Sequence, residues 1–144
     1  MSERKPLALS CGTLVVNADG ELLLCHVTDT DHWDIPKGMQ DAGETPLTAA
    51  MREMWEEIGL VFDAALFQDL GCFGYRPDKR LHLFRLIAPA ELRSLDHLVC
   101  TSFFPHHRTG KPTPEADGFR WARRAEIATL CWPRMAKRLL ALAW

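Results

Sequence analysis

The sequence predicts a mixed α/β fold, a sheet flanked by helices, and three observations carry that expectation. Strand-like apolar runs open the chain at Leu7–Val16 and Glu21–Thr28, one well-punctuated helix follows over 45–59, and helix returns at the C-terminus after a last strand. Blocks of strand divided by a long helix suit a layered domain around one core. The 144 residues fit one domain spanning 1–144, long enough to bury a substantial core.

The elements follow in order. Asn17-Ala18-Asp19-Gly20 reads as the turn that makes Glu21–Thr28 the hairpin partner of the first strand. Residues 1–6 read as a loose tail. Residues 28–43 read as a polar loop, broken by the compact run Trp33-Asp34-Ile35-Pro36-Lys37-Gly38. Thr45 can cap the helix, Pro46 suits its first position and Gly59 the residue just past its end. Val61–Leu70 and Arg80–Ala88 read as strands joined by Gly71–Lys79, and 91–96 as a short helical turn. Thr101–Asp117 reads as a long loop, Phe119-Arg120-Trp121 as a last strand, and Glu126–Leu130 and Arg134–Leu142 as helices around Pro133.

Composition narrows the function. Hydrophobic residues make up 47% and charged residues 25%, an ordinary globular balance. A net charge of −2 argues against a broad basic face for extended nucleic acid. Cys11, Cys25, Cys72, Cys100 and Cys131 form no C-x-x-C pair, which points to small buried side chains rather than disulfides or a cysteine-rich zinc site. No run approaches the ~20 apolar residues that cross a bilayer, and the N-terminus has no signal-length apolar segment. A cytoplasmic protein without a membrane partner is expected.

The helix raises the sharpest question. It places Glu53, Glu56 and Glu57 within one turn, with Arg52 the only nearby cation. With Leu47 at zero and about 100° per residue, Met51, Met54 and Ile58 fall within roughly 40° of it, a core face. On the same wheel Glu53 falls at about 240°, Glu56 at about 180° and Glu57 at about 280°, the opposite side. Ala49 and Ala50, among or beside them, would leave room for a ligand. Like charges at i+3 and i+4 each cost a few tenths of a kcal/mol, so a plain solvated face is affordable. The chemical alternative is a cation site, because clustered carboxylate oxygens are ligands for hard divalent ions such as Mg²⁺, with Arg52 orienting a carboxylate.

The spacing bears on that choice. Gly38, Glu44, Arg52-Glu53-Met54, Glu56-Glu57 and Gly59-Leu60 fill every defined position of one pattern. That pattern resembles the Nudix box, G-x5-E-x7-R-E-U-x-E-E-x-G-U with U aliphatic. The resemblance implies the Nudix fold, an α/β/α sandwich with a central mixed sheet, and hydrolysis of a nucleoside diphosphate linked to another group X. It implies that Glu53, Glu56 and Glu57 hold Mg²⁺ or Mn²⁺, that Arg52 braces the site, that Glu44 ties loop to helix, and that Gly38 allows the backbone turn at the loop–helix join. The stretch Glu115 to Trp121 resembles the part of the family where a loop carboxylate faces the box helix. The resemblance implies that Glu115 is a further metal ligand or, as the alternative to Glu53, the general base, with Asp117 a weaker choice for the base.

Other residues bear on X. The run Trp33–Gly38 resembles the W-x-x-P-K-G entry of members that cleave dinucleoside polyphosphates, and Lys37 can meet a phosphate as a point charge. Phe73 and Tyr75 can stack a base or simply pack; Arg76, Lys79 and Arg80 can meet distal phosphates. His106 and His107 sit in the long loop as candidate ligand contacts. The leading substrate is a small-molecule (di)nucleoside polyphosphate; ADP-ribose-like sugars, oxidised nucleoside triphosphates and the 5′ triphosphate of RNA are alternatives. A nucleotide sensor of the same fold would be expected to lose box glutamates, and all are present. An isoprenoid diphosphate isomerase would need a catalytic cysteine, for which Cys25, Cys72 and Cys100 are formally open. Monomer and homodimer both fit, and the apolar tail Leu139–Trp144 can cover the chain's own sheet or an interface.

Overall fold

The computed structural model describes residues 7–144, so the tail read over 1–6 lies outside the described residues. At its centre two strands diverge. β1 (Ala8–Val16) and β2 (Leu22–Val27) are antiparallel neighbours joined by the predicted turn, yet they pair only at Val16 and Leu22. Beyond that point β1 is flanked by β6 (Lys79–Ile87), parallel along its whole length, and β2 by β9 (Ala116–Ala122), antiparallel. The compact run recognised in the sequence fills the opening. Its start, β3 (Trp33–Asp34), pairs with β2, and its end, β4 (Lys37–Met39), pairs with β1. β5 (Gln68–Arg76) closes the far edge against β6. One parallel and several antiparallel pairs make the sheet mixed, as expected.

The two faces bury different cores. On one, Leu14, Leu22, Leu24, Ile35, Leu81 and Leu83 meet α2 (Ile127–Leu130) and α3 (Pro133–Leu140) through Ile127, Met135 and Leu139. Leu142 and Trp144 pack against this same core, so the apolar tail covers the chain's own sheet. On the other face, Val15, Leu23, Cys25 and Leu86 meet Met54 and Ile58 of α1 (Pro46–Ile58). The helix has the predicted boundaries. Thr45 Oγ1 accepts the Thr48 N–H at 3.2 Å, and Gly59, in the left-handed region at φ 73°, donates its N–H to Trp55 O at 2.9 Å. No helix among the described residues is long and apolar enough to cross a membrane.

Several elements differ from the sequence reading. Val61–Leu70 is strand only from Gln68, where β5 begins: a 3₁₀ turn at Ala64–Leu66, capped by Asp63, precedes it. Gly71–Lys79 is not a connector but mostly strand, with the reversal confined to Pro77-Asp78. Residues 91–96 form no helix. The long loop contains a two-stranded ribbon, β7 (Phe103–Pro105) and β8 (Pro112–Pro114), whose prolines suit a sheet without a second neighbour. Cys72 is exposed, whereas the other four cysteines are buried.

Candidate active site

Arg52 organises the carboxylates. Its Nε and Nη2 form a fork on Glu44 at 2.8 and 2.9 Å. Its Nη1 reaches Glu53 at 2.8 Å and Glu56 at 3.1 Å, and Nη2 also donates to Met39 O at 2.8 Å. One guanidinium thus ties the loop before the helix to two successive helix carboxylates, the bidentate geometry that makes Arg irreplaceable by Lys. Glu44 also accepts the Asp41 N–H at 2.8 Å. The hydrogen bonds from Arg52 and Asp41 hold its carboxyl below the usual range.

The glutamates do not occupy a solvent face opposite the core. Ala49, Ala50, Glu53, Met54 and Ile58 are the buried residues of α1. Projected down the helix, they centre near Ala50 rather than at Leu47. Ala49 and Ala50 do not line a ligand space; they pack on Cys11 and Phe84. Two small side chains let the helix approach the sheet on that side, which rotates the buried face and carries Glu53 inward to 7% exposure. Gly38 serves a different purpose from the expected one. Its backbone is not in the left-handed region. A β-carbon there would stand 2.1 Å from Glu53 Cδ, so glycine is needed for space, not for backbone conformation.

Glu57, from α1, and Glu115, from just before β9, line one cleft of about 400 Å³, together with Lys37, Asp34, Phe104 and Trp132. Glu115 stands where β8 passes into β9, fixed by its N–H to Ser102 O at 2.8 Å and by its carbonyl, which accepts the Thr28 N–H at 3.1 Å. The Lys37 N–H points to Glu57 Oε2 at 3.4 Å. Burial, then the neighbouring charges of Glu53 and Asp34, push the Glu57 carboxyl well above its ordinary value. Burial also raises Glu53, opposed by Arg52 and reinforced by Glu56 and Glu115. Burial pulls the Lys37 ammonium down, but Asp34, Tyr75 and Glu57 outweigh it and leave the group above its ordinary value. Lys37 Nζ lies 3.4 Å from Asp34 Oδ2.

Most of the predicted residues converge, and some do not. Glu57, Glu115 and Lys37 line the cleft, and Arg52, Glu53 and Glu56 stand beside them on the same helix as Glu57. Tyr75, partly buried, stands near Lys37. Arg76 and Lys79 stand at the β5–β6 turn and do not line this cleft; Arg76 lies 3.8 Å from Asp78. Asp117 is engaged by His26 Nδ1. His106 and His107 stack on each other, and His106 faces Asp29 at 3.2 Å. Sequence reasoning missed Asp34, Phe104 and Trp132. Asp34 had a signal, an acid three residues before Lys37 in a compact apolar run; the other two reach the cleft only through tertiary folding.

A mixed sheet between helices carries a carboxylate-lined cleft, and comparison with known proteins specifies the class. The NUDIX domain profile matches residues 6–142. An uncharacterised 17.7 kDa protein of Enterobacteria phage T4 is 33% identical over 144 residues, covering 94% of this chain and 95% of that one. An RNA pyrophosphohydrolase of Rhodospirillum rubrum is 39% identical over 71 residues, 49% of this chain, and the match spans only 43% of that enzyme. The solved structure of a C. elegans Ap4A hydrolase binary complex superposes with a TM-score of 0.59 at 20% identity, over 90% of this chain and 92% of that one. The chain belongs to the Nudix family, and it is a Nudix-type pyrophosphohydrolase.

Proposed function

We propose that the protein hydrolyses a phosphoanhydride bond in a nucleoside diphosphate linked to a further group, with (di)nucleoside polyphosphates as the leading substrates. The observation that carries this reading is the convergence of Glu57 and Glu115 with Lys37 at one cleft, beside the Arg52-braced pair Glu53 and Glu56. The donor set fits a divalent cation: it is all carboxylate, hard oxygen, and two of its members are raised by burial and by neighbouring carboxylates. Glu53, Glu56, Glu57 and Glu115 would hold Mg²⁺ or Mn²⁺. A cation bound there supplies charge neutralisation of the diphosphate and acidification of a water.

The chain's own groups do the rest. Lys37 meets a phosphate oxygen with a charge that its neighbours keep in place. Arg52 fixes the orientation of Glu53 and Glu56. Glu115 or Glu53 takes the proton from the attacking water. Trp132 and Phe104 provide apolar and aromatic wall for the nucleoside. The RNA 5′ triphosphate is the second reading, favoured by the name of the R. rubrum relative. Buried free cysteines are consistent with a cytoplasmic setting.

The test is product identification by chromatography with dinucleoside polyphosphates, ADP-ribose, oxidised nucleoside triphosphates and triphosphorylated RNA, with Mg²⁺, with Mn²⁺ and with chelator. Metal-dependent cleavage between phosphorus atoms is expected, fastest on a polyphosphate. Tight nucleotide binding without cleavage of any of them would replace the hydrolase reading by a sensor.

A further inference from the structure

The carboxylate site leaves a larger concavity unused. A cleft of about 560 Å³ opens between the end of β5 and α3, walled by Tyr75, Arg134, Lys137 and Arg138. Its lining holds three cations and no carboxylate. Among the described residues none of the three forms a salt bridge. The two guanidinium groups are nevertheless positioned: Arg134 Nη1 donates to Tyr75 O at 2.8 Å, and Arg138 lies over the Phe73 ring at 4.4 Å. Each is held by a neutral partner, so its charge stays uncompensated.

This cleft adjoins the carboxylate cleft. Trp132 walls the carboxylate cleft and Pro133, the next residue, walls the basic one. Lys37 lines the former and feels Tyr75 of the latter. Lys79 stands near the same corner. Burial, then the charges of Lys37 and Arg76, pull its ammonium below the ordinary value, as happens where cations outnumber anions. In a chain of net charge −2, such a gathering is a local feature rather than a general basicity.

We propose that the Tyr75–Arg134–Lys137–Arg138 cleft is a second anion subsite, which binds phosphate groups of the substrate beyond the scissile diphosphate. The proposal rests on the hydrolase reading and narrows it: the group linked to the nucleoside diphosphate itself carries phosphate. Arg presents a planar fork that matches phosphate oxygens, and Lys adds a mobile point charge. A polyphosphate bridge and the 5′ end of an RNA share this chemistry. A plain sugar does not, and would leave the cleft empty.

The experiment has a binding arm and a turnover arm, both on the full chain. Inorganic tripolyphosphate is titrated calorimetrically in chelator. Without metal the glutamates repel a polyanion, so binding reports the basic cleft. Saturable, salt-weakened binding is expected, reduced about tenfold by Lys137→Glu, the order expected for reversing one charge near a polyanion. It is reduced less by Lys137→Gln, and Arg93→Glu, with the same charge change elsewhere, leaves it intact. Lys137 is an exposed residue of α3, so these variants fold.

In the turnover arm, kcat/KM for diadenosine tetraphosphate and for a triphosphorylated short RNA is divided by that for ADP-ribose. Lys137→Glu lowers this ratio about tenfold, by the same charge argument. A fall for the tetraphosphate alone identifies a free nucleotide, and a fall for RNA alone identifies a 5′ end. Absence of tripolyphosphate binding, or equal binding in wild type and Lys137→Glu, overturns the proposal, as does an equal loss in Arg93→Glu. Tripolyphosphate binding without hydrolysis of any substrate supports the anion site and removes the hydrolase reading instead.

Discussion

Gly38 and Glu53 occupy one another's space: a β-carbon on Gly38 would stand 2.1 Å from Glu53 Cδ and 2.2 Å from Oε2. The strand residue can only be glycine if the carboxylate is to remain where Arg52 holds it. Gly38→Ala is therefore expected to displace Glu53, with a loss of about 1–3 kcal/mol, the usual cost of overpacking, and a fall in turnover of about 100-fold, the scale of a misplaced catalytic geometry. Thermal melting and kcat with Mg²⁺ check both. Wild-type turnover in the variant contradicts the assigned position of Glu53.

Arg52→Lys removes a fork that no ammonium can reproduce. The change loses the paired bonds to Glu44 and the bridge to Glu53 and Glu56. A destabilisation of about 1–3 kcal/mol is expected for a charged network left partly unsatisfied, measured by denaturant unfolding in chelator.

Glu57→Gln separates metal binding from folding. Burial and neighbouring acids raise the Glu57 carboxyl, so its charge is a burden on the metal-free fold. Without metal the variant should melt at or above the wild-type temperature. The rise in melting temperature that Mg²⁺ gives the wild type by mass action should disappear, together with turnover. A variant less stable in chelator and still shifted by Mg²⁺ would contradict this.

The metal-free protein should gain stability as pH falls from 8 toward 5. Glu53, Glu57 and Asp34 have folded values raised above 4.5, 4.5 and 3.8. The folded state therefore takes up protons first, and stability rises as pH falls through the raised values. His26, raised above 6.5 by its bond to Asp117, acts in the same direction: its contribution is full below 6.5 and lost as pH rises through the folded value. Glu44, lowered, opposes only below 4.5. Melting temperatures in chelator across this range test the sign. Metal affinity should run the other way, because the metal displaces protons.

Glu115→Gln tests the base. Loss of a general base typically lowers turnover about 10²–10⁴-fold. If Glu115 takes the proton, kcat of the variant should climb with pH as hydroxide replaces the missing carboxylate. A flat profile with kcat unchanged assigns the proton to Glu53.

The legible part of the structure was the part written in local chemistry. Thr45, Pro46 and Gly59 marked the helix ends because capping is decided within a few residues. The glutamate cluster was legible as spacing, but its setting was not. The buried face of α1 is turned by Ala49 and Ala50, which a hydrophobic wheel scores weakly although they permit the closest approach to the sheet. β5 was only partly seen: Gly71 and Gly74 are poor strand formers, held in the sheet by pairing with β6. Val61 and Leu66 looked like strand residues and are instead exposed, at 72% and 55%. The cations of α3 lie in a run that reads only as helix; the fold brings them to Tyr75.

Whether the crowded carboxylates hold a cation decides the rest. Isothermal titration of Mn²⁺ into metal-free wild type and Glu57→Gln is the most direct measurement. Saturable binding in the wild type, abolished in the variant, is the predicted result. No binding in the wild type, or unchanged binding in Glu57→Gln, would contradict it.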